Sequence, residues 1–579
     1  MQEQKAAEAP VATAPPADEI NSLIALHNHG QFQELLTQGQ ALAEQYPCAV
    51  IVHNLIGAAN AGLGRPTDAI ASYSKALQIK PDFADAHYNL GRALRDLGKF
   101  EEAIASYSKA LQIKPNFAKA HNNLGSTLID LRRHEEAIVS FTRALQIEPN
   151  YADAHNNLGL ALKRICRFDE AIASYKRALK LKPDHVLAHR NLCALFNRLN
   201  RVSDFANALN EARQAGLEDK NEILFLSAES SSRKKNAKET LSFLDRISPE
   251  ELPLMNQRRY FELMGKTYET LGLFDKAFAQ FQTQNEIAKK TKICNPAAVF
   301  DHAVQLTESW SSGENFDWSA TSPETEDVSI AFLVGFPRSG TTLLDTILRG
   351  HPGVTVVEEE PMVKKMRSQF GRNASIEELN KLTSSDLKRL RHAYLDELKI
   401  HVNSSDMDGL VIDKFPLNIR YAGLIHRVFP KAKFILALRH PCDCVLSCFA
   451  QDFELNDAMA NFLTLDQSAK FYAAVMGLWR AYRNALDLEV GVVKYEELIQ
   501  DLRRTCMPLI EFLGLEWDDN LLNYQETARG RGYINTPSYD QVTQPLYKQA
   551  SGRWENYRKQ MQPVLPILEP WIKEFGYGD

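Results

Sequence analysis

The chain has 579 residues, which exceeds the size of a single hydrophobic core and indicates about three or four domain-sized units. Its net charge of −6 argues against a strongly basic nucleic-acid-binding protein, so no nucleic-acid partner is expected. The sequence contains no run of about 18 apolar residues, so no membrane span is predicted. The eight cysteines are scattered along the chain, which favours a reducing compartment and predicts neither a disulfide framework nor a metal site.

The N-terminal half of the chain consists of a short tail and an internal repeat. Residues 1–18 are rich in alanine, proline and glutamate and lack an apolar core, so a disordered tail is expected and not a signal peptide. Prolines then recur every 34 residues from Pro47 to Pro183, and histidines recur with the same period from His53. A fixed period of this length is a strong indication of a repeat protein.

One repeat, residues 84–117, predicts a pair of helices. Apolar residues such as Ala86 and Leu94 have helical spacing, and a Gly-Lys turn separates the first helix from the second. Pro115 cannot continue a helix and closes the unit. A single pair cannot bury its apolar face, whereas stacked neighbours can, so the pattern predicts an all-α solenoid.

This segment resembles the tetratricopeptide repeat family, although histidine replaces the usual aromatic residue near the start of the first helix. The resemblance sets the expected solenoid at residues 19–300, with clear repeats over 50–185. Degenerate copies are expected on both sides, including one at residues 264–281. The family implies a protein or peptide partner that the solenoid binds.

Asparagines on the 34-residue grid are candidates for substrate binding. They lie at Asn89, Asn123, Asn157 and Asn191. Asparagine is a mediocre helix former, so its recurrence needs a reason. One hypothesis is a ladder of amides that clamps an extended peptide, similar to the ladder in the repeats of O-linked N-acetylglucosamine transferase. The alternative is inherited similarity between duplicated units, with solvated side chains.

The second half opens with a strand, a loop and a helix. Residues 301–328 form the predicted linker. Residues 329–334 are then a short apolar run typical of a buried parallel strand, and apolar residues from Leu343 onward have helical spacing. This order of elements directs backbone N–H groups and a helix N-terminus at a phosphate.

The loop between strand and helix differs from a Walker motif at one position. Gly335 and Gly340 have the Walker spacing, but Thr341 replaces the Walker lysine, and the positive charge lies inside the loop at Arg338. This pattern favours a 5′-phosphosulfate, bound without a metal, over a nucleoside triphosphate with magnesium. The predicted binding residues are Arg338, Ser339, Gly340, Thr341 and Thr342.

Residues 329–579 resemble sulfotransferases that use 3′-phosphoadenosine 5′-phosphosulfate (PAPS), and in particular their protein-tyrosine branch. The resemblance rests on the Pro-Arg-Ser-Gly-Thr-Thr loop, on a strand at 432–438 that leads to Arg439, and on a helix that carries Ser447. It implies an α/β, P-loop-like fold with a parallel sheet. It also implies that Arg439 and Ser447 bind the 3′-phosphate, so the loop and this element form two separate phosphate grips at opposite ends of the nucleotide.

Two further segments extend this resemblance along the chain. A Val-Val-Lys-Tyr-Glu-Glu-Leu segment matches the family, and Tyr495 within it is implied to lie by the nucleotide. A Gly-Arg-Trp segment matches near the C-terminus, and Arg553 within it is implied to contact PAPS from a mobile loop. The expected nucleotide product is adenosine 3′,5′-bisphosphate.

The resemblance implies three catalytic residues. Glu359 matches the general base, although its neighbours leave the register open, because a slip of one residue would nominate Glu358 or Glu360. Strand alternation predicts that these two side chains point away from Glu359. Lys414 matches a lysine that neutralises charge on the bridging oxygen of the leaving group, and Ser538 matches a serine that hydrogen-bonds there.

The predicted function is sulfuryl transfer from PAPS to a hydroxyl acceptor, and the expected acceptor is a protein tyrosine presented by the repeats. The alternative is sulfation of a carbohydrate, lipid or small molecule, with the repeats only docking partner proteins. Eukaryotic tyrosine sulfotransferases lie behind a membrane anchor, which the sequence lacks. A cytoplasmic, bacterial protein is therefore expected.

Overall fold

The computed structural model describes residues 14–199, 201–312, 318, 328–371, 373–402, 407, 409–530 and 551–578. It contains two compact units, Met1–Leu226 and Ser227–Asp579. The sequence placed the end of the solenoid at residue 300, whereas the structure groups the helices beyond residue 226 with the second unit. Helix α1 begins at Ala17, inside the stretch predicted as the tail.

Helices form the first unit. They are α1 (Ala17–Asn28), α2 (Phe32–Gln45), α3 (Val50–Gly62), α4 (Pro66–Ile79), α5 (Ala84–Asp96), α6 (Phe100–Ile113), α7 (Ala118–Asp130), α8 (His134–Ile147), α9 (Ala152–Arg164), α10 (Phe168–Leu181), α11 (Val186–Arg198), α12 (Val202–Gln214) and the start of α13 (Asn221–Arg233). Successive helices pair as the 34-residue period predicts, so the all-α repeat solenoid is confirmed.

Close packing within each pair depends on a glycine opposite an aromatic ring. A Cβ on Gly125 would lie 2.7 Å from the Phe141 ring, and a Cβ on Gly159 would lie 2.7 Å from the Tyr175 ring. Both rings are fully buried. The same relation joins Gly265 to Phe281, which are 16 residues apart like the other pairs. The degenerate copy predicted at residues 264–281 therefore has the repeat geometry, although it lies in the second unit.

The repeat histidines hold successive helical pairs together. Each donates Nε2–H to the carbonyl of the proline six residues earlier, at 2.8–3.1 Å, since a carbonyl only accepts hydrogen bonds. The acceptors belong to Pro47, Pro81, Pro115, Pro149 and Pro183. This bond explains why histidine can replace an aromatic residue there.

The second unit begins with helices and continues as an α/β domain. Its strands are β1 (Ser329–Gly335), β2 (Val354–Glu358), β3 (Leu410–Lys414), β4 (Lys433–Leu438) and β5 (Val490–Lys494). They form one parallel sheet in the order β2-β3-β1-β4-β5. The carboxyl ends of parallel strands meet at one edge of a sheet, which is where ligands bind in such folds.

Helices flank this sheet. They are α14 (Ala237–Leu244), α15 (Leu254–Thr270), α16 (Phe274–Thr291), α17 (Pro296–Trp310), α18 (Thr341–Leu348), α19 (Met362–Phe370), α20 (Ile376–Asn380), α21 (Ser384–His401), α22 (Ala422–Val428), α23 (Pro441–Phe449), α24 (Leu465–Ala485), α25 (Tyr495–Leu498), α26 (Leu502–Leu513), α27 (Tyr524–Gly530), α28 (Arg558–Met561) and α29 (Leu565–Glu574). Within the described residues, no helix is both long and apolar enough to cross a bilayer.

Helices α15 to α17 share the core of the second unit. Phe281 and Trp310 are buried in the same apolar cluster as the central strand residue Phe332. Arg258 forms a buried ion pair with Asp452, and Asn285 donates to the Phe449 carbonyl at 2.9 Å. Residues 301–310, predicted as linker, are thus the second half of a packed helix, because the apolar side chains of α17 complete this core.

Candidate functional site

The loop after β1 adopts a strained backbone conformation. Arg338 has φ 70° and Gly340 has φ 96°. A side chain at Gly340 would place its Cβ 2.6 Å from the Tyr495 ring, so this position requires glycine for space as well as for conformation. The Ser339 hydroxyl is buried and has no hydrogen-bond partner among the described residues. A buried unpaired hydroxyl beside a helix N-terminus fits a phosphate as its missing partner.

Arg338, Arg439 and Ser447 form one contiguous cluster. Arg338 Nε donates to Ser447 Oγ at 3.1 Å, and Arg439 Nη1 donates to the Arg338 carbonyl at 3.1 Å. The two predicted phosphate grips therefore lie next to each other in the structure, and their binding of opposite ends of one nucleotide stays a prediction. The strands β1 and β4 are hydrogen-bonded neighbours, so the residues that follow them lie side by side at the sheet edge.

Residues of β5 and its following turn support this cluster. The Arg439 guanidinium lies 5.0 Å from the centre of the Tyr495 ring, within cation–π range. Glu496 accepts from the backbone N–H of His440 at 2.9 Å and from the Tyr577 hydroxyl at 2.8 Å. The structure thus brings Tyr495 beside the loop and Arg439, and it adds Glu496, which fixes the turn after Arg439.

A buried cluster of charges lies at the ends of β2 and β3. Lys414 has no exposed surface and donates from Nζ to Glu358 Oε1 and Glu359 Oε1, both at 2.8 Å. Asp345 Oδ2 of α18 lies 4.0 Å from the same nitrogen. Burial alone would lower the pKa of Lys414, but Glu359, Glu358 and Asp345 outweigh it and raise the pKa above its ordinary value. Lys414 is therefore held as a cation.

The structure distinguishes the three consecutive glutamates. Alternation predicted that Glu358 would point away from Glu359, but both reach Lys414, because Glu359 leaves the strand with φ 56°. The Glu359 side chain is 38% exposed and Glu358 only 9%. Glu360 lies instead near His401, at 3.7 Å. Of the two glutamates on Lys414, Glu359 is the more exposed.

The structure brings the other predicted site residues together only in part. Thr341 and Thr342 lie in the first turn of α18, at the helix N-terminus that follows the loop. The Arg553 guanidinium pairs with Glu269 of α15, at 2.5 Å from Nε and 3.0 Å from Nη2. Ser538 lies outside the described residues, so its predicted role stays a prediction.

The amides of the repeat asparagines bond along the solenoid. Asn191 donates to Asn156 at 2.9 Å, Asn156 donates to Asn157 at 3.2 Å, and this chain continues through Asn122 to Asn123. Its last link runs from Asn123 to the Tyr88 hydroxyl, and Asn89 bonds separately to Asn54. Each of these amides therefore has at least one partner within the solenoid. Whether the same amides also bind a peptide stays a prediction.

Two acidic residues of the site, Asp345 and Glu269, escaped the sequence-based prediction. Asp345 is fully buried in α18, where it accepts from Arg349 Nε at 2.6 Å and faces Lys414. Glu269 lies on α15, a helix remote in sequence from the sheet. A lone aspartate within an apolar helix was the available signal for Asp345. No signal marks Glu269, since its partner is 284 residues away.

The fold and site define an α/β, P-loop-like transferase domain that follows a helical repeat array. Residues 331–519 match the sequence model of the sulfotransferase family. Residues 57–131, 116–184 and 156–217 match models of the tetratricopeptide repeat. The C-terminal region therefore contains a segment that matches the sulfotransferase family, and tetratricopeptide repeats precede it, as the sequence predicted.

Several proteins show the same relationship at low identity. An uncharacterized protein of Aquifex aeolicus is 28% identical over 256 residues, which are 42% of this chain and 32% of that protein. Protein-tyrosine sulfotransferase 1 of Danio rerio is 26% identical over 268 residues, which are 44% of this chain and 73% of that protein. The match thus spans only about a third of the Aquifex relative.

A solved structure of MamA is 25% identical, covers 28% of this chain and 95% of MamA, and superposes with a TM-score of 0.27. A TM-score this low supports no functional inference.

In the described part of the chain, no group of three or more histidine, cysteine, aspartate or glutamate side chains is arranged to hold a metal ion.

Proposed function

We propose that the second unit transfers the sulfuryl group of PAPS to a hydroxyl acceptor. The observation that carries this proposal is the single edge of the sheet at which a phosphate loop, two arginines and a glutamate–lysine pair converge. Asp345 connects the two parts, because α18 starts at the phosphate loop and Asp345 also faces Lys414. A binding site for anionic phosphates thus adjoins a carboxylate that is poised to accept a proton.

The basic, hydroxyl and acidic residues of the site have different proposed roles. Arg338, Arg439 and Ser447 would hold the nucleotide phosphates, and the Ser339 hydroxyl and α18 N-terminus would add hydrogen bonds. Sulfuryl transfer, like phosphoryl transfer, depends mainly on positioning and on stabilising charge on the leaving oxygens. Lys414, kept cationic, supplies that charge. Glu359 accepts the acceptor's proton, and its bond to Lys414 keeps the carboxylate oriented until then.

A protein tyrosine is the proposed acceptor. The similar proteins that carry a functional name are protein-tyrosine sulfotransferases, and tetratricopeptide repeats are protein-binding modules. The asparagine amides bond to one another within the solenoid, and each amide retains further donors and acceptors for a peptide. A carbohydrate, lipid or small-molecule acceptor is the second candidate, with the repeats docking partner proteins.

The eight cysteines, all within the described residues, form no disulfide, and the Aquifex aeolicus relative is bacterial. Both facts support the proposed location in a reducing bacterial cytoplasm. Fractionation of cells that produce the protein tests this location, and recovery in a membrane or extracellular fraction would contradict it.

Transfer of label from sulfur-labelled PAPS tests the function and separates the two acceptor classes. Purified protein is incubated with labelled PAPS and either a tyrosine peptide library or a matched library with phenylalanine in place of tyrosine. Label in the first library alone supports the tyrosine acceptor. In a parallel incubation with cell extract, label only in the glycan or lipid fraction supports the second candidate. Label in neither library and in no fraction of the extract contradicts the transferase assignment. Glu359→Gln serves as the inactive control.

A further inference from the structure

The segment around Arg553 is fixed to the helix that begins beside Arg439. The backbone N–H groups of Gly552 and Trp554 donate to the two carboxylate oxygens of Asp443, at 2.8 and 2.9 Å. Asp443 lies in the first turn of α23, four residues after Arg439. The backbone on both sides of Arg553 is therefore anchored next to the cluster of Arg338, Arg439 and Ser447.

The Arg553 side chain is held from the opposite side by the helical hairpin α15–α16. Glu269 near the end of α15 accepts from Nε at 2.5 Å and from Nη2 at 3.0 Å, in the bidentate arrangement. The Tyr557 hydroxyl donates to the same Glu269 oxygen at 3.1 Å. The side chains of Arg553 and Glu269 are only 20% and 21% exposed. This pair is thus well shielded from solvent and defined in geometry.

A guanidinium has five N–H groups arranged in a plane, and a carboxylate fork occupies only one of its edges. The carboxylate of Glu269 fixes the plane of the guanidinium through Nε and Nη2, and neither of these two bonds uses the Nη1 group. We propose that Glu269 is a positioning residue, which orients Arg553 to bind the 3′-phosphate of PAPS. The helical hairpin thereby becomes part of the nucleotide site. This inference rests on the proposed function.

Calorimetric titration with two nucleotides tests the inference. Adenosine 3′,5′-bisphosphate carries the 3′-phosphate, and adenosine 5′-monophosphate lacks it. Glu269→Gln should weaken binding of the bisphosphate about 5–10-fold, because Arg553 is no longer oriented and its charge-assisted contact with the 3′-phosphate is lost. Binding of the monophosphate should be unchanged, because the monophosphate lacks the 3′-phosphate. The matched control is Asp275→Asn, since Asp275 of the same hairpin accepts from Gln560 at 2.5 Å and does not touch Arg553. This control should bind both nucleotides like the wild type.

A double variant separates positioning from mere structure. If Glu269 acts through Arg553, Glu269→Gln combined with Arg553→Ala should bind the bisphosphate no more weakly than Arg553→Ala alone. Equal losses for both nucleotides, unchanged bisphosphate binding or tighter bisphosphate binding in Glu269→Gln would each overturn the inference while leaving the proposed function intact. A wild-type protein that binds no bisphosphate would overturn both.

Discussion

In the first unit, the amides of Asn122, Asn156 and Asn157 donate to and accept from one another in a neutral chain along the helices. In the second unit, Lys414 faces three carboxylates, and Arg338 and Glu359 occupy left-handed backbone conformations. The repeated polar residues satisfy each other at no cost in strain. The unrepeated ones are charged, and two of them have a positive φ.

This contrast shows which polar residues point to chemistry. Five described residues other than glycine have positive φ, and three of them, Arg132, Cys166 and Lys235, lie in turns between helices. The other two are Arg338 and Glu359, and both are at the candidate site. Strain of about 1–3 kcal/mol per residue persists where function needs the conformation. In this chain, the polar residues that recur with the repeat bond to one another within the solenoid. The charged residues with positive φ that lie outside the turns between helices are at the candidate site.

Loss of the base should have the largest effect. Glu359→Gln keeps the size of the side chain but removes proton acceptance, so the transfer rate should fall about 10²–10⁴-fold. Binding of adenosine 3′,5′-bisphosphate should be unchanged. Glu358→Gln is the matched comparison, since it removes the less exposed partner of Lys414. A larger loss of rate in Glu358→Gln than in Glu359→Gln would reverse the assignment.

The buried carboxylate of Asp413 on β3 should make the stability of the second unit depend on pH, independently of the transfer reaction. Burial raises the pKa of Asp413 from 3.8 to about 7, although the hydrogen bond from Tyr394 opposes the shift. A folded-state pKa above the unfolded value gives stability that is fully present below about pH 4 and is lost as the pH rises through 7. In Asp413→Asn, the free energy of unfolding should decrease by a few kcal/mol less between pH 4 and pH 7 than in the wild type. Urea unfolding at several pH values measures this difference.

An unchanged pH slope in Asp413→Asn would show that the carboxylate is not buried as described. The transfer rate is a useful second readout, because Asp413 lies next to Lys414 in sequence while its side chain bonds to Tyr394 and not to the charge cluster. We expect the variant to retain most of its activity at pH 7.

The glycine–aromatic pairs test the packing of the solenoid. Gly125→Ala places a methyl group against the Phe141 ring and should lower the free energy of unfolding of the first unit by about 1–3 kcal/mol. Adding Phe141→Leu should recover part of the loss, because a smaller side chain makes room. An alanine at position 125 without effect on unfolding would contradict the close approach of α7 and α8.

The asparagine chain should give the smallest effect. Asn156→Ala leaves the Asn191 amide and the Asn157 carbonyl without their partners, at a cost of about 1 kcal/mol in unfolding free energy. Replacing Asn123, Asn157 and Asn191 together tests the ladder hypothesis. Weaker binding of a protein substrate, beyond what the stability loss explains, would support a peptide clamp, and unchanged binding would leave the asparagines a structural role only.

Much of the fold follows from local pattern. The predicted strand at 329–334 is β1 (Ser329–Gly335), and the predicted strand at 432–438 is β4 (Lys433–Leu438). The period of 34 residues identified the paired helices because each repeat carries the same packing code. The boundary at residue 226 was not predictable, since α15 looks like a repeat helix in sequence and only its long-range contacts place it in the second unit.

The candidate site was predicted where one segment carries both the motif and the chemistry. Arg338, Arg439 and Ser447 belong to such segments, and the parallel sheet brings them together. Asp345 and Glu269 were missed, because their importance lies in contacts with Lys414 and Arg553 that depend on tertiary structure. The short distance between the two predicted phosphate grips also depends on tertiary structure, since it follows from the pairing of β1 with β4.

The central claim is that the arginine cluster at the sheet edge binds both phosphates of one nucleotide. Calorimetric titration of adenosine 3′,5′-bisphosphate into the purified full chain tests it most directly. The wild type should bind one equivalent, and Arg439→Ala should bind about 10–100-fold more weakly, in line with the loss of a charged hydrogen-bond donor to phosphate. Absence of binding in the wild type, or equal affinity in Arg439→Ala, would contradict the claim.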